Sequence, residues 1–167
     1  RVDLTQALAQ SCDVFFYSLA VELGIDRLAS YANKLGIGQR LDFDLAEERS
    51  GLMPTKEWKK GNLGRSCQPG ESVIASIGQG YILTTPLQLA VMTARLVNGG
   101  RAVKPWMAGV IDGKARIDET WPQLDVSKTH LDLIMEGMRD VITHPRGTAH
   151  GSRIGKEGME MGGKTGT

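Results

Sequence analysis

Cysteine occurs only twice in this chain, at Cys12 and Cys67, with no C-x-x-C spacing. Two such residues are too few for a disulfide framework, and they leave the redox compartment open. Aromatic residues are sparse at 5%, and no apolar run approaches the roughly 20 residues needed to cross a bilayer. No signal-peptide pattern opens the chain, because Arg1-Val2-Asp3-Leu4 leads directly into helical periodicity. The net charge of +1 offers no electrostatic case for a nucleic-acid partner. Internal repeats and low-complexity tracts are absent as well. What is present is ordinary globular material, 41% hydrophobic and 23% charged over 167 residues, the size of one domain with a real core. Glycine is abundant at 21 residues, so many turns are expected. The chain starts and stops inside patterned sequence, which is expected of a fragment of a longer protein.

Helical signals dominate. Asp3 followed by Gln6 reads as a capping box ahead of Leu4, Ala7 and Leu8. Ser11-Cys12-Asp13 interrupts that pattern, and Asp13 is expected to cap a second helix over Val14 to Leu23 that stops at Gly24. Asp26 is expected to cap a third, Arg27 to Leu35. Ser11 and Asp13 therefore fall at a helix–helix junction, where side chains can face a cleft. Residues 39–72 are polar and turn-rich and read as a surface excursion with at most one short helix, capped by Thr55. Thr85 as cap and Pro86 at the first helical position start a strong helix to Val97, with Leu87, Leu89, Ala90, Met92, Ala94, Leu96 and Val97 expected to be largely buried. Arg101 to Ile117 suggests short strands or extended loop, and Ser127 caps a helix over Lys128 to Thr143. The remainder is Gly-rich and leads to an extended end.

The end itself, GMEMGGKTGT, has two readings. Gly158 with Gly163-Lys164-Thr165 fits G-x-x-x-x-G-K-[ST], the pattern of a phosphate-binding loop. Such a loop needs a buried strand before its first glycine and a helix after its Lys-Thr, because helix and loop amides hold the phosphates. Arg153-Ile154-Gly155-Lys156-Glu157 is no buried strand, and Gly166 follows Thr165 where a helix should begin. The other reading takes Lys164-Thr165-Gly166 as one wall of a serine acyl-transfer cleft, with a Ser-x-Asn variant opposite it. Ser11-Cys12-Asp13 supplies that variant.

A third block decides between them. Ala75-Ser76-Ile77-Gly78-Gln79-Gly80-Tyr81 with Thr84-Thr85-Pro86-Leu87-Gln88-Leu89-Ala90 resembles the Gly-Gln-Gly…Thr-Pro-Leu-Gln block of penicillin-binding protein transpeptidase domains. The stretch Leu45 to Lys59 (LAEERSGLMPTKEWK) is similar to the class B, elongation-type branch, penicillin-binding protein 2, and Ser11 to Tyr17 fits the same branch. The resemblance covers essentially the whole chain in the right order. It implies a mainly α fragment of the α+β fold of serine β-lactamases and penicillin-binding-protein transpeptidases. The helical core would span 1–38 and 73–143, the surface excursion 39–72, and the active-site strand region 158–167.

By resemblance, a serine in Ser-x-x-Lys attacks the penultimate D-Ala carbonyl of a peptidoglycan stem peptide, D-Ala leaves, and an amine resolves the acyl-enzyme into a cross-link. β-Lactams acylate the same serine. No Ser-x-x-Lys occurs in these 167 residues, so the nucleophile is expected outside them and the fragment is expected to be inactive by itself. The resemblance makes Ser11 a proton relay and Lys164 its electrostatic partner. Thr165 and Thr167 would bind the substrate carboxylate, Gly166 would let substrate backbone approach, and the Thr167 N–H would form half of an oxyanion hole. Asp13 departs from the commoner Asn. An ionised Asp accepts only, so its contact with the substrate carbonyl stays open. The family further implies no cofactor, stem peptides and β-lactams as ligands, a membrane glycosyltransferase and the elongation machinery as partners, and the periplasmic face of the bacterial inner membrane. Three other readings remain. One is a serine β-lactamase or D,D-carboxypeptidase using water as acceptor, and another is a non-catalytic β-lactam-sensing or scaffold domain. The last is zinc held by Asp42, Asp44 and Cys67, which lack a tight ligand pair.

Overall fold

The computed structural model describes residues 2–43, 46–115 and 120–166. Seven α-helices and one β-hairpin are found among them: α1 (Leu4–Ala9), α2 (Asp13–Leu23), α3 (Ile25–Lys34), α4 (Lys56–Leu63), α5 (Pro69–Ala75), α6 (Pro86–Val97), β1 (Val110–Ile111), β2 (Lys114–Ala115) and α7 (Lys128–Thr143). None of these helices is long and apolar enough to cross a membrane.

Several helix starts follow directly from their caps. Asp3 accepts from the Gln6 amide at 2.9 Å, Thr55 from Trp58 at 3.0 Å, Thr85 from Gln88 at 3.1 Å and Ser127 from His130 at 3.2 Å. Each satisfies an otherwise orphaned N–H, a contribution of about 1 kcal/mol. Two expected caps are corrected. Cys12, with extended backbone and no side-chain bond, precedes α2, and Asp13 is already its first residue. Gly24 breaks the chain so that α3 starts at Ile25, which is buried, while Asp26 lies in the first turn. The Asp26 carboxylate instead accepts from the Lys56 amide at 3.0 Å, serving the start of α4.

The pairing that positions the site is α1 against α7. Gly137 lies in mid-α7, and a Cβ there would sit 2.8 Å from Leu8 Cδ1, so the missing side chain is what lets the helices approach. Ala7 and Ala9 of α1 and Leu131, Val141 and Ile142 of α7 are buried. A second helix, α5, lies partly within the segment expected to be surface, and it packs on α2 and α3. Its start is marked by Pro69 in the first turn and by Glu71, whose carboxylate accepts from the Gln68 amide at 2.7 Å.

The burial on α6 also differs from the apolar pattern. Leu89 and Val97 are 45% and 51% exposed, while Gln88 and Arg95 are buried with Val91. Both polar side chains are satisfied by backbone, which is what permits their burial. The Gln88 amide donates to Gln39 O and Ser50 O, each at 2.8 Å, and its oxygen accepts from Thr85 N at 3.1 Å. Arg95 donates to Lys34 O at 2.9 Å and to Val103 O at 3.1 Å. Val110 pairs with Ala115 and Ile111 with Lys114 across Asp112-Gly113, both at positive φ, as a tight two-residue hairpin requires.

Candidate active site

Ser11 sits where α1 hands over to α2, and its own backbone is unusual. Its φ of 51° is left-handed, a conformation that non-glycine residues adopt at a cost. Cys12 N donates back to Ala7 O at 2.9 Å, so the reversal is held against α1. This presents the Ser11 hydroxyl to the cleft instead of to its own helix.

The C-terminal segment 159–166 runs without regular secondary structure and is tied to α7 by Gly163 N donating to Met138 O at 2.9 Å. That tether delivers Lys164 across the cleft. Its ammonium donates to Ser11 Oγ at 2.5 Å and to Thr165 O at 3.1 Å. Thr165 Oγ1 lies 3.4 Å from both Lys164 Nζ and Ser11 Oγ. Two ends of the sequence thus meet in one hydrogen-bonded cluster, flanking a cleft of about 820 Å³ that Asp13, Gly166, Ser76 and Gln79 also line. Thr167 lies outside the described residues.

The Lys164 residue is exposed overall, yet its ammonium end turns into the cleft. Loss of solvent there lowers its pKa below the ordinary lysine value, and the Asp13 carboxylate partly opposes that shift. The arrangement therefore offers a cation that releases its proton more readily than a free lysine. Beside it is a serine hydroxyl that accepts from it and keeps its own proton to give, the two-way capacity a proton relay needs.

The residues considered for zinc do not gather. Asp42 is bonded to Lys104 at 2.9 Å, and Cys67 borders a separate cavity with Glu71. Asp44 falls outside the described residues, and among those described no group of three or more His, Cys, Asp or Glu could hold a metal. The phosphate-loop reading also lacks its strand, since the described residues 153–157 leading into Gly158 form no strand. One hydroxyl of the cluster was missed from sequence: Thr148 Oγ1 stands 3.1 Å from Thr165 Oγ1. Nothing in the spacing of Pro145-Arg146-Gly147-Thr148 announces it.

The family model described as "Penicillin binding protein transpeptidase domain" matches residues 1–167. The chain belongs to the penicillin-binding protein transpeptidase family. Among its relatives, the peptidoglycan D,D-transpeptidase MrdA of Escherichia coli K12 is 38% identical over 158 residues, covering 90% of this chain and 24% of that protein. The crystal structure of Pseudomonas aeruginosa PBP2 in complex with WCK 5153 superposes with a TM-score of 0.84 at 41% identity, covering 90% of this chain and 34% of that one. The complex between PBP2 and MreC from Helicobacter pylori gives 0.79 at 29% identity over 93% of this chain and 28% of that one. The chain spans about a quarter of the length of the curated relatives it matches. For this member of the family, the mainly helical make-up and the few short strands among the described residues agree with the expected fragment of the α+β fold.

Proposed function

We propose that this chain is part of a peptidoglycan D,D-transpeptidase of the elongation type. The observation that carries this reading is the Lys164–Ser11 hydrogen bond at 2.5 Å, which joins the two motif residues across the cleft. A serine from the Ser-x-x-Lys segment of the full protein attacks the penultimate D-Ala carbonyl. Its proton passes through Ser11 to the nitrogen of the departing D-Ala as the C–N bond breaks. An acceptor amine then attacks the serine ester, gives up a proton along the reverse path, and forms the cross-link. Lys164 keeps the relay in a positive field, Thr165 and Thr167 take the substrate carboxylate, and Gly166 leaves room for substrate backbone. Asp13 acts on Lys164 through its charge.

The likeness to a PBP2 solved with MreC supports a place in an envelope assembly. The stem peptides, β-lactams, glycosyltransferase partner and periplasmic face of the inner membrane belong to this same proposal. The deciding experiment is acylation of the full-length protein by fluorescent penicillin, followed by product analysis on a stem-peptide substrate with an added amine. Labelling plus a cross-linked product is expected. Hydrolysis alone would point to a carboxypeptidase or β-lactamase, and no labelling would sink the acyl-serine reading.

A further inference from the structure

We propose that Thr148 is a positioning residue for the Thr165 hydroxyl, a role that rests on the transpeptidase reading of the cleft. The site as read from the motifs contains Ser11, Lys164 and Thr165, and the Thr165 hydroxyl makes only long contacts to the other two, 3.4 Å to both Lys164 Nζ and Ser11 Oγ, which do not by themselves fix its direction. Packing does not, because Lys164, Thr165 and Gly166 are all exposed.

Thr148 is attached to both walls of the cleft. Its backbone N–H donates to Ala9 O at 3.0 Å, two residues before Ser11. Its side-chain oxygen lies 3.1 Å from Thr165 Oγ1 on the opposite wall. The turn that carries it is fixed at close quarters. Gly147 N donates to His144 O at 2.8 Å, and Ala149 N donates to Val141 O at 3.0 Å. A Cβ on Gly147 would lie 2.4 Å from both Asp140 O and Val141 O, so only glycine lets the turn press against the end of α7. The position of Thr148 is therefore set by α1 and α7, the same pair that places Ser11.

The chemistry follows from the inventory of a hydroxyl, one proton and two lone pairs. Thr165 Oγ1 can accept from Lys164 and from Thr148, which fills its lone pairs and leaves its single proton to donate, with Ser11 Oγ at 3.4 Å one acceptor within its reach. A substrate carboxylate entering the cleft is the acceptor that proton then meets. A hydroxyl that accepts from a neighbour is also a better donor, because hydrogen bonds in a chain polarise one another. Thr148 touches neither the reacting carbonyl nor the nucleophile in this arrangement, and its effect passes through Thr165.

The test uses the full-length protein and separates the pre-acylation binding constant from the first-order acylation constant. Thr148→Val keeps the shape and removes the hydroxyl. It is expected to weaken penicillin binding about fivefold, the scale of one neutral hydrogen bond, with the acylation constant unchanged. Thr148→Ser is expected to restore binding to within about twofold of the parent, as a retained hydroxyl should. With penicillin methyl ester, which lacks the free carboxylate, the Thr148→Val penalty is expected to disappear. Thr148→Ala replaces the valine variant should the latter lose a cooperative melting transition. The proposal is overturned by a valine variant that binds like the parent, by a serine variant as weak as the valine one, by an equal penalty on the ester, or by a loss confined to the acylation constant. A parent protein that penicillin fails to label overturns the transpeptidase reading itself, and this role with it.

Discussion

Lys59 and Lys164 are both drawn into clefts of this molecule, and the fold treats their charges in opposite ways. Lys59, on α4, is buried, and its ammonium is hydrogen-bonded to the Glu71 carboxylate of α5. Glu71 is held in turn by the Gln68 amide, and Cys67, Tyr81 and Ile74 line the same cavity of about 340 Å³. Among the described residues, no carboxylate is hydrogen-bonded to or ion-paired with Lys164. Its hydrogen-bond partners are the Ser11 and Thr165 hydroxyls and one backbone carbonyl, with Asp13 acting through charge alone. A lysine locked on a carboxylate ties one helix to another. A lysine among hydroxyls has partners with which protons can be exchanged.

The largest test of this contrast is to remove each lysine in the full-length protein. Lys164→Met is expected to slow acylation by penicillin about 100-fold or more, with a melting temperature close to the parent's. Ser11→Ala should cost a similar factor, about 100-fold, because it cuts the same relay. Lys59→Met should do the reverse. Leaving Glu71 without its partner is expected to lower the melting temperature by about 5 °C, while the folded protein still acylates at nearly the parental rate. Equal melting losses for the two lysine variants would end the distinction.

A smaller effect separates the two sites by pH. Glu71 is held below the usual carboxylate range, first by the Lys59 hydrogen bond and then by the Gln68 N–H. A carboxylate with a depressed folded-state pKa contributes stability that is present above its ordinary value of 4.5 and lost as pH falls through the lower folded value. Acid unfolding should therefore include a component that Glu71→Gln abolishes, seen as a flatter melting temperature against pH below about 4.5. Lys164→Met should leave that component in place.

The sequence carried the helices whose signals are local and unopposed. Asp3, Thr55, Thr85 and Ser127 cap where their side chains face a free amide, and all four do so. The errors arose where tertiary contacts override local preference. Asp26 is an acceptable cap residue, but the Lys56 amide takes its carboxylate. The α5 start was legible in Pro69 and Glu71, yet Gly70 and the surrounding polar residues obscured it. On α6 an apolar count could not foresee that Gln88 and Arg95 go inside, because the carbonyls they satisfy come from residues 34 to 103. The cleft was legible for a different reason. Ser11, Lys164 and Thr165 belong to short motifs whose spacing in the chain says nothing of distance, and the α1–α7 contact brings them together. Thr148 had no motif, and only the fold reveals it.

The smallest effect concerns Asp13, the position that departs from the commoner Asn. Desolvation lowers the Lys164 pKa, and the Asp13 carboxylate raises it back in part. Below its folded pKa the charged Lys164 costs stability, and that cost is relieved as pH rises through the interval up to the ordinary 10.5, where the unfolded chain holds more protons. If the charged form serves acylation, the rate should fall on the alkaline side with a midpoint below 10.5. Asp13→Asn removes the opposing carboxylate and leaves the desolvation, so the midpoint should move to still lower pH. Acylation rates measured across neutral to alkaline pH would show it. A midpoint that stays fixed or moves upward would mean that Asp13 does not act on Lys164 through charge, and its departure from Asn would then have to be explained by its place in the first turn of α2.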